Sequence, residues 1–153
     1  MSSPSFVENE KENGAHDGEV IRMPVPAVRL IVVDPGGRVL ILRRANTQHS
    51  QGQWCLPGGK AEYGITLEDS ARKELLEETS LRCKELRFLF HQDSLPESLG
   101  EMHCVNFYYA CSFEGQVAIN NESDDFAWIT PRDLKAYTIV FRNEEGILRF
   151  WAK

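Results

Sequence analysis

The chain has 153 residues, 42% of them hydrophobic, and a formal net charge of -6 at pH 7. This length and composition are typical of one compact domain with a hydrophobic core. The acidic balance excludes a surface that binds nucleic acid through its phosphates. No apolar run approaches the roughly 20 residues of a membrane-spanning helix, and the N-terminus has no signal-peptide pattern. We therefore expect a cytoplasmic protein with no nucleic-acid or membrane partner.

The cysteines form no metal-binding or redox motif. Cys55, Cys83, Cys104 and Cys111 contain no C-x-x-C pair, and their spacing matches no zinc signature. We expect four reduced thiols, as in a protein of the reducing cytoplasm.

The N-terminal segment differs in composition from the rest of the chain. It is polar and acidic and is interrupted by Pro4, Gly14 and Gly18, so it buries little apolar surface. We expect residues 1–22 to be a flexible lead-in. Residues 23–153 contain no repeat or linker and are predicted to form one domain.

Apolar and β-branched runs predict the strands. PVPAVRLIVVD (24–34) and RVLILRR (38–44) flank the turn residues Asp34-Pro35-Gly36-Gly37, which predicts a hairpin of two paired strands. Further strands are predicted at 85–93, at 103–113 and, after an acidic loop, at 126–130.

Two helices are predicted near the C-terminus. Thr130, Pro131 and Asp133 supply an N-cap, a proline at the first helical position and an acid at the third, which predicts a short helix. A last helix is predicted to begin after Asn143 and to direct into the core Ile147, Leu148 and Trp151.

The stretch LPGGKAEYGITLEDSARKELLEETSL, residues 56–81, predicts a helix that begins at Leu67. Thr66 and Asp69 form a variant of the capping box. Leu67, Ala71 and Leu75 recur every four residues and predict the buried stripe of this helix.

Three carboxylates, Glu74, Glu77 and Glu78, share one face of this helix near its C-terminal end. The Glu74–Glu78 pair costs roughly 0.2–0.5 kcal/mol, and an acid that opposes the helix dipole costs roughly 0.3–1 kcal/mol. One interpretation is a solvated charged face. The other is a site for a divalent cation such as Mg²⁺, which prefers oxygen ligands and would supply the missing countercharge.

Together with the preceding glycines, these residues resemble the box of the Nudix hydrolases. That pattern is G, five residues, E, seven residues and then R-E-U-x-E-E-x-G-U, where U is a bulky aliphatic residue. The matching residues are Gly59, Glu74, Leu75, Glu77, Glu78 and Leu81. Three positions depart from the pattern, because Ile65 replaces the first glutamate, Lys73 the arginine and Ser80 the late glycine. The flanking segments at 51–54 and 126–134 extend the resemblance over about residues 24–134.

The resemblance implies an α+β fold, an α/β/α sandwich with a central mixed β-sheet. It implies that Glu74, Glu77 and Glu78 are catalytic and bind Mg²⁺ or Mn²⁺, with a backbone carbonyl of Gly58 or Gly59 as a further ligand. The implied reaction is attack of water on one phosphorus of a nucleoside diphosphate linked to another group. Bound cations would supply the positive field that a chain of net charge -6 lacks.

None of the three departures removes a principal ligand, so we expect an active enzyme. The alternative is a noncatalytic nucleotide-binding module. Lys73 keeps the charge of the arginine but not its planar two-pronged geometry. Ile65 removes an acid, and a glutamate would not be accepted there if the residue packs in the core. Ser80 is expected at positive φ, where the helix ends.

Four further residues are candidates for the site. Lys60 would contact a substrate phosphate, as in family members with PGGK, or would lie in solvent. Arg44 ends a strand that runs toward the glycines and would contact the substrate. Glu122 would be an additional catalytic acid, or part of a solvated acidic loop. Trp54 would stack on a nucleobase, although aromatic residues lie more often in a core.

The expected substrate is a small nucleotide. Pro96 lies about fifteen residues beyond Leu81, as does a proline of ADP-ribose-cleaving relatives. ADP-ribose or another nucleoside diphosphate sugar is therefore the first expectation, and a nucleoside triphosphate is the second. A homodimer is left open.

Overall fold

The computed structural model describes residues 22–152, so the predicted lead-in lies outside the described residues except for Arg22. The strands are β1 (Val25–Val32), β2 (Val39–Arg44), β3 (Trp54–Cys55), β4 (Gly58–Lys60), β5 (Arg82–Ser94), β6 (Cys104–Glu114) and β7 (Ser123–Ile129). The helices are α1 (Leu67–Thr79), a 3₁₀ helix (Pro131–Ala136) and α2 (Asn143–Trp151).

The strands form two sheets. The first has the order β4-β1-β6-β5 and is mixed, because β1 pairs in parallel with β6 and antiparallel with β4. The second has the order β3-β2-β7 and is antiparallel. Helices α1 and α2 pack on opposite faces of this layer, as the two hydrophobic clusters show. The predicted α/β/α sandwich with mixed strands is confirmed.

Each face of the sheet layer carries one hydrophobic cluster. The α1 cluster includes Val28, Leu30, Leu40, Leu42, Ala71, Leu75 and Tyr109. The α2 cluster includes Ile31, Val39, Ile41, Tyr108, Ile129, Leu134 and Ile147. Successive side chains of a strand point to opposite faces, so β1 and β2 each contribute to both clusters.

The predicted hairpin of β1 and β2 is wrong. The turn forms as expected, with Gly37 N–H donating to the Asp34 carbonyl at 2.9 Å, but only one isolated bridge, Val33–Val39, joins the two strands. Beyond it the strands enter different sheets. Both strands are apolar on both faces and therefore belong at sheet interiors, where each needs two partners that are distant in sequence.

Several local predictions can be compared directly with the structure. Helix α1 begins at Leu67, with Thr66 Oγ1 accepting a hydrogen bond from Asp69 N–H at 3.0 Å, and ends at Ser80, which has φ 67°. All three features are confirmed. Leu148 was expected in the core, but its side chain is 48% exposed. Strand β7 starts at Ser123 rather than 126, because the acidic segment pairs with the end of β2.

The short strands β3 and β4 occupy a stretch in which no strand was predicted. They form because β2 pairs with Trp54–Cys55 and β1 pairs with Gly58–Lys60. No helix within residues 22–152 is long and apolar enough to cross a membrane.

Candidate metal and substrate site

The acidic face of α1 lies against β4. Glu78 is partly buried there, and its Oε1 accepts a hydrogen bond from Gly58 N–H at 3.1 Å. Burial, followed by contact with the neighbouring Glu74 carboxylate, raises the pKa of Glu78 well above its ordinary value, and the Gly58 N–H opposes this only in part. The site thus contains a carboxylate whose charge is poorly compensated.

Both glycines of β4 are required by close approach. A Cβ atom on Gly59 would lie 3.0 Å from Glu74 Oε1, so the Glu74 carboxylate packs directly over this residue. Gly58 has φ +149°, and a Cβ atom there would lie 2.1 Å from the carbonyl oxygen of Val28 in β1. Gly58 therefore allows β4 to pair with β1, whereas Gly59 makes room for Glu74.

Glu77 lies on the solvent side of the acidic face. Its side chain is exposed, and Lys73 Nζ lies 3.9 Å from Glu77 Oε2. The shorter contact of Lys73 is with Glu62 Oε1, at 2.5 Å. Lys73 therefore binds Glu62 and Glu77 on the exposed rim rather than Glu74 or Glu78. Ile65, at 41% exposure, also lies outside the core.

A cavity of ≈ 200 Å³ opens beside Glu78, where β1 and β4 of the first sheet diverge from β2 of the second. Its charged lining residues are Arg29, Arg44, Glu78 and Glu122. The remaining lining residues are Leu42, Thr47, Cys55, Leu56, Gly58 and Ser123. The cavity therefore brings two carboxylates and two guanidinium groups around one small volume.

The two arginines share one aromatic neighbour. Arg44 Nε donates to the His49 carbonyl at 3.1 Å, and its Cζ lies 4.6 Å from the centre of the Phe141 ring. Arg29 Nε donates to Asn106 Oδ1 at 3.2 Å, and its Cζ lies 5.4 Å from the same centre. Between residues 22 and 152, neither guanidinium forms a salt bridge. Both positive charges are thus available to an anion in the cavity.

The structure brings together only some of the residues predicted from the sequence. Glu74, Glu78, Gly58, Gly59, Arg44 and Glu122 converge on the cavity or its edge. Lys60 is exposed at the end of β4 and does not line the cavity. Trp54 packs edge-on against Tyr137, 4.9 Å between ring centres, at the border of the α2 cluster.

Sequence reasoning missed Arg29 and Phe141. A charged residue at position 29 of an otherwise apolar strand was the available signal for the first. Nothing in the local sequence relates Phe141 to a strand more than ninety residues away, so only the structure identifies it.

The oxygen donors of the site fit a hard divalent cation. Within the described part of the chain, no group of three or more His, Cys, Asp or Glu side chains is already arranged as a metal site. Glu74 and Glu78 nevertheless adjoin each other next to the backbone of Gly58 and Gly59, and neither forms a salt bridge with a residue of the range 22–152. Adjoining carboxylates beside backbone oxygens are a donor set that Mg²⁺ or Mn²⁺ prefers.

The chain is similar in sequence to known proteins. A family model, the NUDIX domain, matches residues 23–150. The nucleoside triphosphatase NudI of Escherichia fergusonii is 31% identical over 100 residues, covering 58% of this chain and 69% of that protein.

Solved structures share the fold. The MutT protein of Methanosarcina mazei Go1 has a TM-score of 0.75 at 20% identity, covering 86% of this chain and 96% of that one. The NUDIX domain of Shewanella oneidensis NrtR, complexed with ADP ribose, has a TM-score of 0.73 at 18% identity, covering 99% and 98%. With the family match over residues 23–150, these likenesses show that the chain belongs to the Nudix hydrolase family.

Proposed function

We propose that this Nudix pyrophosphohydrolase cleaves the diphosphate linkage of a nucleotide with the help of a divalent metal ion, and that a nucleoside triphosphate is its principal substrate. The observation that carries the proposal is the cavity that is lined by Arg29, Arg44, Glu78 and Glu122. The guanidinium groups suit phosphate oxygens, and the carboxylates suit a cation. A volume of ≈ 200 Å³ accommodates a phosphate group rather than a whole nucleotide, so the nucleoside would extend outward.

When bound, a Mg²⁺ or Mn²⁺ ion would neutralise the diphosphate and acidify the attacking water, with Glu74, Glu78 and a carbonyl of Gly58 or Gly59 as ligands and Glu77 as a further ligand. Arg44, at the end of β2, binds a phosphate oxygen. Glu122, exposed to solvent at the cavity, accepts the proton of the water. Lys60 contacts the outer part of the substrate.

Two observations support a triphosphate as the first candidate and ADP-ribose as the second. The NudI proteins, named as nucleoside triphosphatases, are 31% identical to this chain, whereas the ADP-ribose-bound NrtR domain is 18% identical. Pro96, on which the expectation of ADP-ribose rested, lines a separate pocket with Met102 and His103. That pocket shares no lining residue with the carboxylate cavity. ADP-ribose and other nucleoside diphosphate sugars are the second candidates, supported by the likeness of fold.

The proposal is tested by incubating the protein with Mg²⁺ and a panel of ribonucleoside and deoxyribonucleoside triphosphates, ADP-ribose and a nucleoside diphosphate sugar. We expect release of monophosphate from triphosphates, lost with excess chelator. Glu78→Gln should abolish most turnover, and Glu68→Gln, on the first turn of the same helix, should not. Turnover that survives complete metal removal would contradict the mechanism. Binding of nucleotides without turnover of any would identify a noncatalytic module.

We place this activity in the cytoplasm. Cys55, Cys83, Cys104 and Cys111 are all free thiols, which suits a reducing compartment.

A further inference from the structure

We infer that Arg29 is a second phosphate-binding residue of this site, positioned by Asn106 and by the ring of Phe141. The inference rests on the proposed function, because it assigns a role within the same cavity. It goes beyond that function because it names the residues that hold the second guanidinium in place.

The first observation is the way in which Arg29 is anchored. Its Nε–H donates to Asn106 Oδ1, and Asn106, only 1% exposed, donates its Nδ2–H to Gln92 Oε1 at 3.1 Å. Asn106 on β6 lies opposite Gln92 on β5, and Arg29 is on β1, so a hydrogen-bonded row of polar side chains crosses three strands. Because this anchoring partner is neutral, Arg29 is fixed in direction without a salt bridge to any residue between 22 and 152.

The second observation is the backbone that places the Phe141 ring. Phe141 and Arg142 are consecutive residues with left-handed conformations, φ 62° and 59°. Such conformations are unfavourable for bulky side chains and persist only where the surroundings hold them. Here the Arg142 carbonyl accepts hydrogen bonds from Gln92 Nε2 at 3.0 Å and from the Tyr108 hydroxyl at 3.3 Å. Gln92 thus supports both Asn106 and the segment that carries the ring.

The third observation is electrostatic. The guanidinium groups of Arg29 and Arg44 approach one ring, and both line the cavity, although like charges repel. The ring face attracts each cation, and planar guanidinium groups suit the geometry of phosphate oxygens. A tetrahedral phosphate in the cavity would accept hydrogen bonds from both and would relieve their repulsion. The pair is therefore organised before the anion binds.

Arg29→Gln provides the direct test, and inorganic pyrophosphate, titrated with and without Mg²⁺, is the probe. We expect affinity for pyrophosphate, measured by titration calorimetry, to fall about 10- to 100-fold, which is typical for the loss of a charge-assisted hydrogen bond. For the nucleotide substrate, KM should rise more than kcat falls. Arg43→Gln is the matched control, because Arg43 is in the same strand as Arg44 but pairs outside the cavity with Asp124 at 2.6 Å. It should leave both quantities unchanged.

Three further variants separate the position of Arg29 from its charge. Asn106→Asp would place a carboxylate on Arg29 and should weaken pyrophosphate binding, although Arg29 itself is unchanged. Phe141→Leu keeps an apolar side chain without the aromatic face and should raise KM several-fold with little change in kcat. Arg29→Lys, which keeps the charge and is the alternative if Arg29→Gln does not fold, should restore only part of the affinity.

Unchanged pyrophosphate affinity in Arg29→Gln would overturn the inference, as would unchanged affinity in both single variants, Arg29→Lys and Asn106→Asp. So would an equal loss in Arg43→Gln, because the effect would then be one of general surface charge. The proposed function fails separately. If the wild-type protein hydrolyses no nucleotide with Mg²⁺, pyrophosphate affinity still decides the role of Arg29.

Discussion

Glu78 lies where a carboxylate is least stable in the metal-free protein. It is in the last turn of α1, it is partly buried, and Glu74 lies beside it. The helix dipole, the loss of hydration and the like charge all disfavour the ionised form of Glu78. A site that holds such a residue is less stable than an uncharged helix end would be, and the proposed bound cation would relieve that instability.

The variant Glu78→Gln should therefore stabilise the metal-free protein by roughly 0.3–1 kcal/mol and lose most of its activity. The raised pKa of Glu78 means that the folded protein binds this proton more tightly than the unfolded chain does. The contribution of Glu78 to the stability of the wild type is thus fully present below the ordinary glutamate pKa and is lost as pH rises through the raised value. Urea unfolding in chelator at several pH values should show this fall in the wild type and a smaller one in the variant. An unchanged thermal shift with Mg²⁺ in Glu78→Gln would contradict its role as a ligand.

The two glycines of β4 should respond differently to alanine. In Gly59→Ala the new methyl group meets the movable Glu74 carboxylate at 3.0 Å, so activity should fall strongly while the melting temperature changes little. In Gly58→Ala it meets the Val28 carbonyl at 2.1 Å, and the pairing of β4 with β1 must yield. Melting curves beside an activity assay distinguish the two outcomes, and a large loss of stability in Gly59→Ala would mean that Glu74 cannot move.

At the scale of elements, α1 combines ordinary local signals with an unfavourable end. Thr66 caps its first turn, and the left-handed Ser80 ends it, with Ser80 N–H donating to the Leu76 carbonyl at 2.9 Å. Helix α2 differs, because it depends on close packing rather than on capping. Gly146 lies so near Tyr108 that a Cβ atom would be 2.2 Å from the ring.

Replacing Ile65 by glutamate restores the residue that the family pattern has at this position. Because Ile65 is 41% exposed, a charge there is accessible to water, and the change should alter unfolding free energy by no more than about 0.5 kcal/mol. Ala71→Glu, in the α1 cluster, is the contrasting variant and should prevent folding. A loss in Ile65→Glu comparable to that in Ala71→Glu would mean that the segment before α1 packs differently.

Gly146→Ala should destabilise the protein although alanine favours helix by about 0.5–1 kcal/mol. Overpacking against Tyr108 costs about 1–3 kcal/mol, and this term is the larger one. Denaturant unfolding measures the difference. Combining the change with Tyr108→Phe, which removes the hydroxyl oxygen 2.5 Å from the new methyl group, should recover part of the loss. If stability does not recover, the new methyl group clashes with the ring carbons of Tyr108 alone.

For the whole molecule, one buried side chain connects the two sheets with α2. Asn143 is fully buried, and its Oδ1 accepts a hydrogen bond from Leu56 N–H at 2.9 Å, in the segment between β3 and β4. Its Nδ2 donates to the Phe141 carbonyl at 3.2 Å and lies 3.4 Å from the Tyr108 hydroxyl. Asn143 thereby fixes the start of α2 to the segment between β3 and β4.

We expect Asn143→Ala to destabilise the fold by about 1–3 kcal/mol, because it leaves the buried Leu56 N–H without an acceptor. Asn143→Asp keeps the acceptor but loses the donated hydrogen bonds, so its free energy of unfolding should lie between those of Asn143→Ala and the wild type. Urea unfolding measures the order of stability of the three proteins. If Asn143→Ala is as stable as the wild type, water replaces the lost partner and the connection is dispensable.

Much of the candidate site could be predicted from the sequence alone. The start and end of α1, the shared face of its three acids and the need for glycine before it follow from contacts between residues a few positions apart. Such contacts depend on helix geometry and side-chain chemistry, which are properties of the local chain. The family pattern added the expected fold and metal ligands, and the fold is confirmed.

Only the tertiary structure decided the rest. It separated β1 from β2, moved Leu148 and Ile65 to the surface, placed Trp54 against Tyr137, and set Glu77 apart from Glu78. It also joined Arg29 to Asn106, 77 residues away, and brought Phe141 beneath two arginines. Sequence patterns record which residues are apolar or charged, but strand partners and cavity walls are chosen by burial of distant segments against each other. The carboxylates of the site and Arg44 could therefore be predicted from the sequence, whereas Arg29 and Phe141 join them only in the folded protein.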